Sequence, residues 1–286
     1  MKRFNCLIVI TKRTFRIFLT ITIVAVSSIT FAYYYFNKDF GTHDFTTSVN
    51  TIKQDISKPL VQKGKLAIII DDFGQNRKGI DEMMSIKRHL TFAVMPFLTY
   101  SAADASNAHK KGYEVIVHLP LEAKNAPLSW VGPRPILANM KNDEIKQITL
   151  DAFENIPYAV GANIHMGSKA ANEEHVISSI LDIIKEKNLY FVDSRAEDHP
   201  IAKKIANDRG ILCYDRDVFL DGNKPKAYIL KQLRKAGDIA LKRGEAVAIG
   251  HVGTEGGKPT ADAISEMLSE FDDKNIQLVF VSELCK

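Results

Sequence analysis

Two adjacent carboxylates follow an apolar run early in the chain. The segment reads Ile69-Ile70-Asp71-Asp72-Phe73-Gly74, and its β-branched start is typical of a buried strand. Because successive strand residues point to opposite faces, the two carboxylates are expected to do different work, one as a metal ligand and one as a general base. The alternative is structural, because the same residue types also suit a turn or a helix N-cap.

Three histidines occupy the same kind of position at the ends of later apolar runs. They are His118, His165 and His251, and the second lies in a segment that also carries Asn163 and Ser168. One histidine at a strand end is usually structural, but three together with an Asp pair favour a metal site. Asp and His ligands suit Zn²⁺, which lowers the pKa of a bound water while a neighbouring carboxylate takes its proton and a histidine protonates the leaving group.

Further polar residues follow the fifth and sixth apolar runs. Asp193 and Arg195 close the fifth, where the guanidinium is a candidate to orient Asp71 or to contact substrate, the alternative being a surface ion pair. Asp217 and Asp221 follow the sixth run, and the sequence does not decide between a site role and a structural one for either.

Trp130 lies in the loop Pro127–Pro135 after the third run. An exposed indole beside a hydrolytic site would stack on a sugar ring. The alternative is that this side chain packs the loop against the rest of the domain.

Short β-branched runs alternate with amphipathic segments from Leu66 onwards. The runs are Leu66–Ile70, Thr91–Met95, Glu114–His118, Ala159–His165, Tyr190–Asp193, Ile211–Tyr214, Ala246–Gly250 and Leu278–Val281. Apolar strands separated by helices predict a parallel α/β sheet, and this number of units favours a (β/α) barrel. No Gly-x-Gly-x-x-Gly follows the first run, which argues against a dinucleotide-binding fold. Chemistry in such barrels lies at the carboxyl ends of the strands.

The charge of the chain is concentrated at its N-terminus. The net charge is +4, but five cations precede residue 37 without any Asp or Glu, namely Lys2, Arg3, Lys12, Arg13 and Arg16. Removing them from the 38 Lys and Arg residues leaves 33 against 34 Asp and Glu. We therefore expect no nucleic-acid partner.

An uncharged run from Ile17 to Phe36 follows these cations and is long enough for a transmembrane helix across a hydrocarbon core of about 30 Å. We expect residues 1–36 to form a cytoplasmic tip and an anchor in the inner membrane, with the remainder periplasmic or extracellular. The alternative is a signal segment cleaved after Thr30-Phe31-Ala32, which would release a secreted protein. Residues 37–63 read as a polar tether, and residues 64–286 as the barrel domain.

Six segments in order resemble the divergent polysaccharide deacetylase family over residues 64–286. They are Ile70-Asp71-Asp72-Phe73-Gly74, Thr91-Phe92-Ala93-Val94-Met95-Pro96, His118-Leu119-Pro120-Leu121-Glu122, Asn163-Ile164-His165-Met166-Gly167-Ser168, Phe191-Val192-Asp193-Ser194-Arg195 and Ile249-Gly250-His251. The resemblance implies a seven-stranded (β/α) barrel and removal of acetyl groups from N-acetylated sugars at an Asp-His-His metal site.

By this resemblance Asp72, His118 and His165 would bind a divalent metal ion, expected to be Zn²⁺. Asp71 would be the base and His251 the acid, with Arg195 also assigned to the catalytic group. The supporting or substrate-binding set comprises Glu122, Asn163, Ser168, Asp193, Asp217 and Trp130. The chain departs from the family in having Glu122 four residues after His118, where a second histidine is usual, and in lacking a proline-rich turn after His251.

The expected function is a metal-dependent hydrolase acting on an acetylated saccharide of the cell envelope, such as peptidoglycan. The alternative is a catalytically inactive envelope protein that binds saccharides or partners with the same fold. A phosphoesterase is disfavoured because the sequence shows no phosphate-binding loop.

Overall fold

The computed structural model describes residues 63–196, 201–223, 225–253 and 256–284, together with the helical residues Ser27, Ser28, Thr30 and Tyr34. The chain divides into two compact units, 1–61 and 62–286. No helix within the described residues is both long and apolar enough to cross a membrane. Most of the expected anchor and tether lies outside those residues, and so both remain predictions.

Unit 62–286 contains nine strands and eight α-helices in its described part. The strands are β1 (Gly64–Phe73), β2 (Thr91–Val94), β3 (Glu114–Leu121), β4 (Ala159–Met166), β5 (Tyr190–Asp193), β6 (Cys213–Asp215), β7 (Val218–Phe219), β8 (Glu245–His251) and β9 (Ile276–Val279). The helices are α1 (Ile80–Met83), α2 (Ser101–Lys110), α3 (Leu128–Val131), α4 (Asn142–Asn155), α5 (Glu174–Glu186), α6 (Ala202–Asp208), α7 (Lys226–Arg243) and α8 (Lys258–Asp273). Each of the eight apolar runs corresponds to a strand, and β7 is the strand that the sequence did not predict.

The strands form one curled sheet in the order β6-β5-β4-β3-β2-β1-β8-β7, and β9 pairs with β1. All strand pairings in this sheet are parallel. The predicted parallel α/β architecture is therefore confirmed. Parallel strands in sequence require crossover connections, and helices such as α2 between β2 and β3 make them. The carboxyl ends of all paired strands consequently lie at one edge.

One segment contacts both ends of the curled sheet. Residues of β6 pair with β5, whereas β7 pairs with β8. Between them, the Arg216 amide donates to Asp193 O at 3.0 Å and the next amide, of Asp217, donates to Val247 O at 2.8 Å. Since β6 and β7 are two halves of this segment, the ring has seven positions, with β9 outside it. This explains the difference between the seven strands implied by the resemblance and the nine observed.

Alternate strand residues face two different apolar clusters. In β1, Leu66, Ile68 and Ile70 belong to the larger cluster, which also includes helix residues, whereas Ala67 and Ile69 belong to a smaller one made mainly of strand residues. The smaller cluster therefore fills the inside of the curl, and the larger one lies between the sheet and the helices. Any residue two positions beyond an inner residue is expected to point inward at the carboxyl edge.

Candidate metal centre

This alternation places four of the predicted side chains on the inside of the curl. Asp71 follows the inner residue Ile69, His118 follows Ile116, and His251 follows Ile249, each two positions later. His165 follows Asn163, which is opposite His118 in the β3–β4 register. Because alternate residues of a strand point to the same side of the sheet, these groups meet at the carboxyl edge.

Asp72 reaches the same site by a backbone irregularity. Strand alternation would point it away from Asp71, as the sequence suggested. However, the β1–β2 register shifts between Ile70 and Phe73, and Asp72 has a φ of 72° in the left-handed region. This bulge turns the carboxylate inward, so both acids lie at one site, and such strain in a non-glycine residue is common at functional sites.

Three donor atoms form a nearly equilateral triangle. Asp72 Oδ1 lies 3.5 Å from His118 Nε2 and 3.2 Å from His165 Nδ1, and the two nitrogens are 3.1 Å apart. Donors around a tetrahedral zinc with bonds of about 2.0–2.1 Å lie about 3.3–3.4 Å apart. The observed spacing therefore fits a single small cation.

The hydrogen-bond state of these donors supports the same interpretation. Asp72 Oδ1 is buried and has no hydrogen-bond partner among the described residues. An unpaired buried carboxylate oxygen is unfavourable unless a cation or proton satisfies it. Asp72, His118 and His165 also form the one cluster of three potential ligands found in the described part of the chain.

Asn163 fixes which nitrogen of His118 is available. Its amide Nδ2 donates to Asp71 Oδ1 at 2.7 Å, and so its Oδ1 faces His118 Nδ1, also at 2.7 Å. Because an amide oxygen only accepts, His118 Nδ1 carries the proton and Nε2 presents a lone pair to the triangle. Asn163 is fully buried, so this link between base and ligand is shielded from water.

Burial and charge shift the pKa values of the site. Burial raises the pKa of Asp71 above its ordinary value, although His118 and His251 oppose this. For Asp72, burial also raises the pKa, but contacts with His118 and His165 outweigh it and hold the pKa far below the usual range. Burial lowers the pKa of His118, whereas Asp71 and Asp72 raise it, with a net increase. Protons and cations therefore compete for His118 Nε2.

His251 is paired with a buried carboxylate. Asp221 Oδ1 lies 2.8 Å from His251 Nδ1, and Asp221 Oδ2 accepts from the His251 amide and from Thr260 Oγ1, both at 2.8 Å. Burial lowers the pKa of His251, but Asp221 and the acids of β1 outweigh it and raise this pKa to about 9. His251 is therefore a cation at neutral pH and can donate a proton.

In place of a proline-rich turn, the loop after His251 contains Gly256, which passes close to His251 and Asp221. A Cβ atom at this position would lie 2.2 Å from His251 O and 2.4 Å from Asp221 Oδ2. Only a residue without a side chain allows the loop to pass this close to the Asp221–His251 pair.

The site opens into a cleft of about 720 Å³. Its walls include the metal-ligand candidates together with Trp130, Ser194, Arg216 and Phe219. Trp130 is 70% exposed and lines the cleft, so the indole does not pack the loop against the domain. A flat apolar surface of this kind suits a sugar ring.

Arg195 does not line this cleft. It lies beyond the end of β5 with a φ of 51°, and it lines a second pocket with Asp217 and Arg243. The guanidinium in the cleft wall belongs to Arg216, which follows the inner residue Tyr214 by two positions. The structure therefore places Arg216, and not Arg195, where a guanidinium could act on Asp71 or contact a ligand in the cleft.

Four other predicted residues have structural partners. Asp193 Oδ1 accepts from the Arg195 amide at 2.8 Å, and Asp217 Oδ2 accepts from Arg243 and the Val247 amide. Glu122 pairs with Lys169 and accepts from the Ala138 amide, and Ser168 Oγ accepts from the Lys124 amide. None of the four lines the cleft. Asp221, not Asp217, is the acid that contacts a site histidine.

Comparison with known proteins agrees with this architecture. The chain is 36% identical over 201 residues to the protein YibQ of Escherichia coli, covering 68% of this chain and 60% of that relative. It is 30% identical to a Haemophilus influenzae protein, covering 78% of this chain and 77% of the relative. The crystal structure of the Agrobacterium tumefaciens protein ATU2773 superposes with a TM-score of 0.73 at 21% identity, covering 81% and 94% of the two chains, which shows a shared fold. The sequence profile of the divergent polysaccharide deacetylases matches residues 68–285, and the chain therefore belongs to the divergent polysaccharide deacetylase family.

Proposed function

We propose that this protein is a metal-dependent hydrolase that removes acetyl groups from an N-acetylated saccharide of the cell envelope, such as peptidoglycan. One observation carries the proposal: the Asp72-His118-His165 triangle lies in the same cleft as Asp71 and the protonated His251. These groups together supply a cation site, a base and an acid. Family membership supports the acetylated saccharide as the substrate class.

Asp72, His118 and His165 would hold the cation, with Zn²⁺ fitting the donor set. A cation bound there would polarise a carbonyl group and lower the pKa of water. Asp71 would accept a proton as the base, and Asn163 holds its carboxylate in position. Because burial raises the pKa of Asp71, this carboxylate is a stronger base than an exposed one.

His251 acts on the departing amine. It lies opposite Asp71 in the β1–β8 register, and so the two groups come from neighbouring strands. When the amide C–N bond breaks, the nitrogen requires a proton, and the imidazolium of His251 supplies it. Trp130 positions the sugar ring by stacking.

The test is acetate release from chitooligosaccharides and peptidoglycan fragments, with zinc content measured on the same samples. We expect Asp72→Ala to lose both zinc and activity, and Asp71→Asn to keep zinc but lose activity. Asp262→Asn, a surface change at an acid paired with Lys258, serves as the matched control and should keep both. Stoichiometric zinc without acetate release from any acetylated glycan would contradict the hydrolase and favour a saccharide-binding protein.

We also propose that the N-terminal segment anchors this protein in the inner membrane, with unit 62–286 in the periplasm. The uncharged run from Ile17 to Phe36 and the five preceding cations support this orientation. Fractionation and protease treatment of intact and opened spheroplasts test it. A membrane-bound protein digested from the periplasmic side is expected; a soluble, shortened protein would indicate cleavage, and protection from protease would contradict the orientation.

A further inference from the structure

Arg216 is a cation in the cleft wall without a carboxylate partner among the described residues. Its Nε donates to Ser194 O at 2.7 Å and its Nη2 donates to Arg195 O at 3.0 Å. None of the recorded ion pairs includes it. Both acceptors are neutral carbonyls, and the charges of Asp71 and Asp193 act on the guanidinium without forming a direct ion pair with it.

The guanidinium plane is held in a fixed orientation. Two hydrogen bonds to consecutive carbonyls hold one edge, and the ring of Phe219 lies 5.0 Å from Cζ. Nη1 makes none of the recorded hydrogen bonds. A planar, immobilised guanidinium with donors to spare is suited to binding an oxyanion.

The charges around the cleft favour an anionic ligand near Arg216. No other Lys or Arg lines the described cleft, and the acids that line it are the paired Asp71 and Asp72 at the metal centre. A cation at the triangle would offset these two carboxylates, and His251 is balanced by Asp221. Arg216 then remains as the lining cation that makes no direct ion pair, and a cleft with an excess charge of one sign selects a ligand of the opposite sign.

We propose that Arg216 forms a subsite for the oxyanion, a carboxylate or a phosphate, of an acidic acetylated saccharide. This rests on the proposed function, because the acetyl group would lie at the metal centre while the anionic substituent contacts Arg216. Ser194 and Arg195 supply the carbonyls that hold the guanidinium, and the ring of Phe219 packs against it. Arg216 thus takes the role of contacting substrate, which the sequence suggested for Arg195 beside that of orienting Asp71.

Trp130 provides a binding signal that does not depend on turnover. It is the one tryptophan of the sequence and it lines the cleft. Fluorescence titration of the full chain therefore gives a Kd for each glycan. The first pair of probes is neutral chitotetraose and a phosphorylated chitotetraose. The second pair is a peptide-free glycan of N-acetylglucosamine and N-acetylmuramic acid, and the same glycan with its carboxylates converted to amides.

We expect the wild type to bind at least one acidic glycan about tenfold more tightly than its neutral counterpart, the size of one charge-assisted hydrogen bond. Arg216→Gln should reduce that preference to less than about twofold, and Arg216→Lys should retain part of it. Arg209→Gln is the matched control, because Arg209 also bonds a backbone carbonyl, Ser178 O, but lies outside the cleft. It should leave the preference unchanged.

The carboxylate and phosphate glycans distinguish the two sources of the oxyanion. Equal binding of acidic and neutral glycans by the wild type, or no binding of either, overturns the inference without requiring any variant to fold. A preference that survives in Arg216→Gln overturns it as well. Selective binding lost in that variant, but without acetate release, supports the subsite and rejects the hydrolase.

Discussion

Replacing Asp221 by Asn would remove the charge that keeps His251 protonated, with little change in side-chain size. In the wild type, burial lowers the pKa of His251, but Asp221, Asp71 and Asp72 raise it from 6.5 to about 9. This difference corresponds to about 3 kcal/mol in favour of the imidazolium. An asparagine offers only a neutral partner, and so we expect the pKa of His251 to fall towards its ordinary value, with Asp71 and Asp72 still acting to raise it.

The pH dependence of kcat/KM for acetate release measures this change. A group with a pKa of about 9 is roughly 90% protonated at pH 8, whereas one with a pKa of about 6.5 is roughly 3% protonated, so activity at that pH should fall, by about thirtyfold at most. At about pH 5.5 both proteins are protonated and should differ little. A cation at Asp72 would weaken the contributions of Asp71 and Asp72 in both proteins, which lowers the pKa of His251 in each but leaves the difference that Asp221 makes.

The pH dependence of the free energy of unfolding gives an independent check, because the direction of the change is determined by the raised pKa of His251. Because the folded-state pKa of His251 is raised, its contribution to stability is complete below about pH 6.5 and is lost as the pH rises through about 9. Asp221→Asn should therefore be less stable than the wild type at pH 6, with a smaller difference at pH 10. Asp217→Asn, whose carboxylate bonds Arg243 and the Val247 amide, is the control. If the fall of kcat/KM at alkaline pH occurs at the same pH in Asp221→Asn as in the wild type, the assignment of His251 as the acid is refuted.

Three further changes test the support around the site. Asn163→Ala breaks the link between Asp71 and His118, and zinc affinity measured by competition with a chelator should fall about 10–100-fold; unchanged affinity would contradict the link. Gly256→Ala places a methyl group against Asp221 and His251, so kcat should fall while zinc content stays stoichiometric, and retained kcat would show that the loop adapts. Trp130→Ala should raise KM without lowering kcat, since the indole binds sugar but does not contact the reacting bond; a loss confined to kcat would reject the stacking role.

Much of the fold could be predicted from the sequence because its strands are buried on both faces. Runs such as Leu66–Ile70 are short, β-branched and separated by amphipathic segments, which leaves few alternatives to a parallel sheet. The positions of His118 and His251 follow from the period of two along a strand. Strand β7 was missed because Val218–Phe219 is too short to form a recognisable run.

The details that sequence alone could not predict depend on local departures from that period. Asp72 turns inward through a positive φ, which Asp tolerates better than most residues, but the residue types do not indicate which of the two adjacent acids adopts it. Arg216 replaces Arg195 at the cleft because the segment after β6 crosses from β5 to β8. Which of the two acids contacts His251 likewise depends on how that segment enters the next turn. Asp217 and Asp221 are the same residue type with similar neighbours, so the sequence does not distinguish them.

The central claim is that Asp72, His118 and His165 bind one cation together. Its most direct test is a crystal structure of the zinc-loaded protein with anomalous diffraction measured above and below the zinc edge. We predict a single anomalous peak within about 2.2 Å of Asp72 Oδ1, His118 Nε2 and a nitrogen of His165. Zinc bound elsewhere, or imidazoles too far apart to share the ion, would contradict the claim.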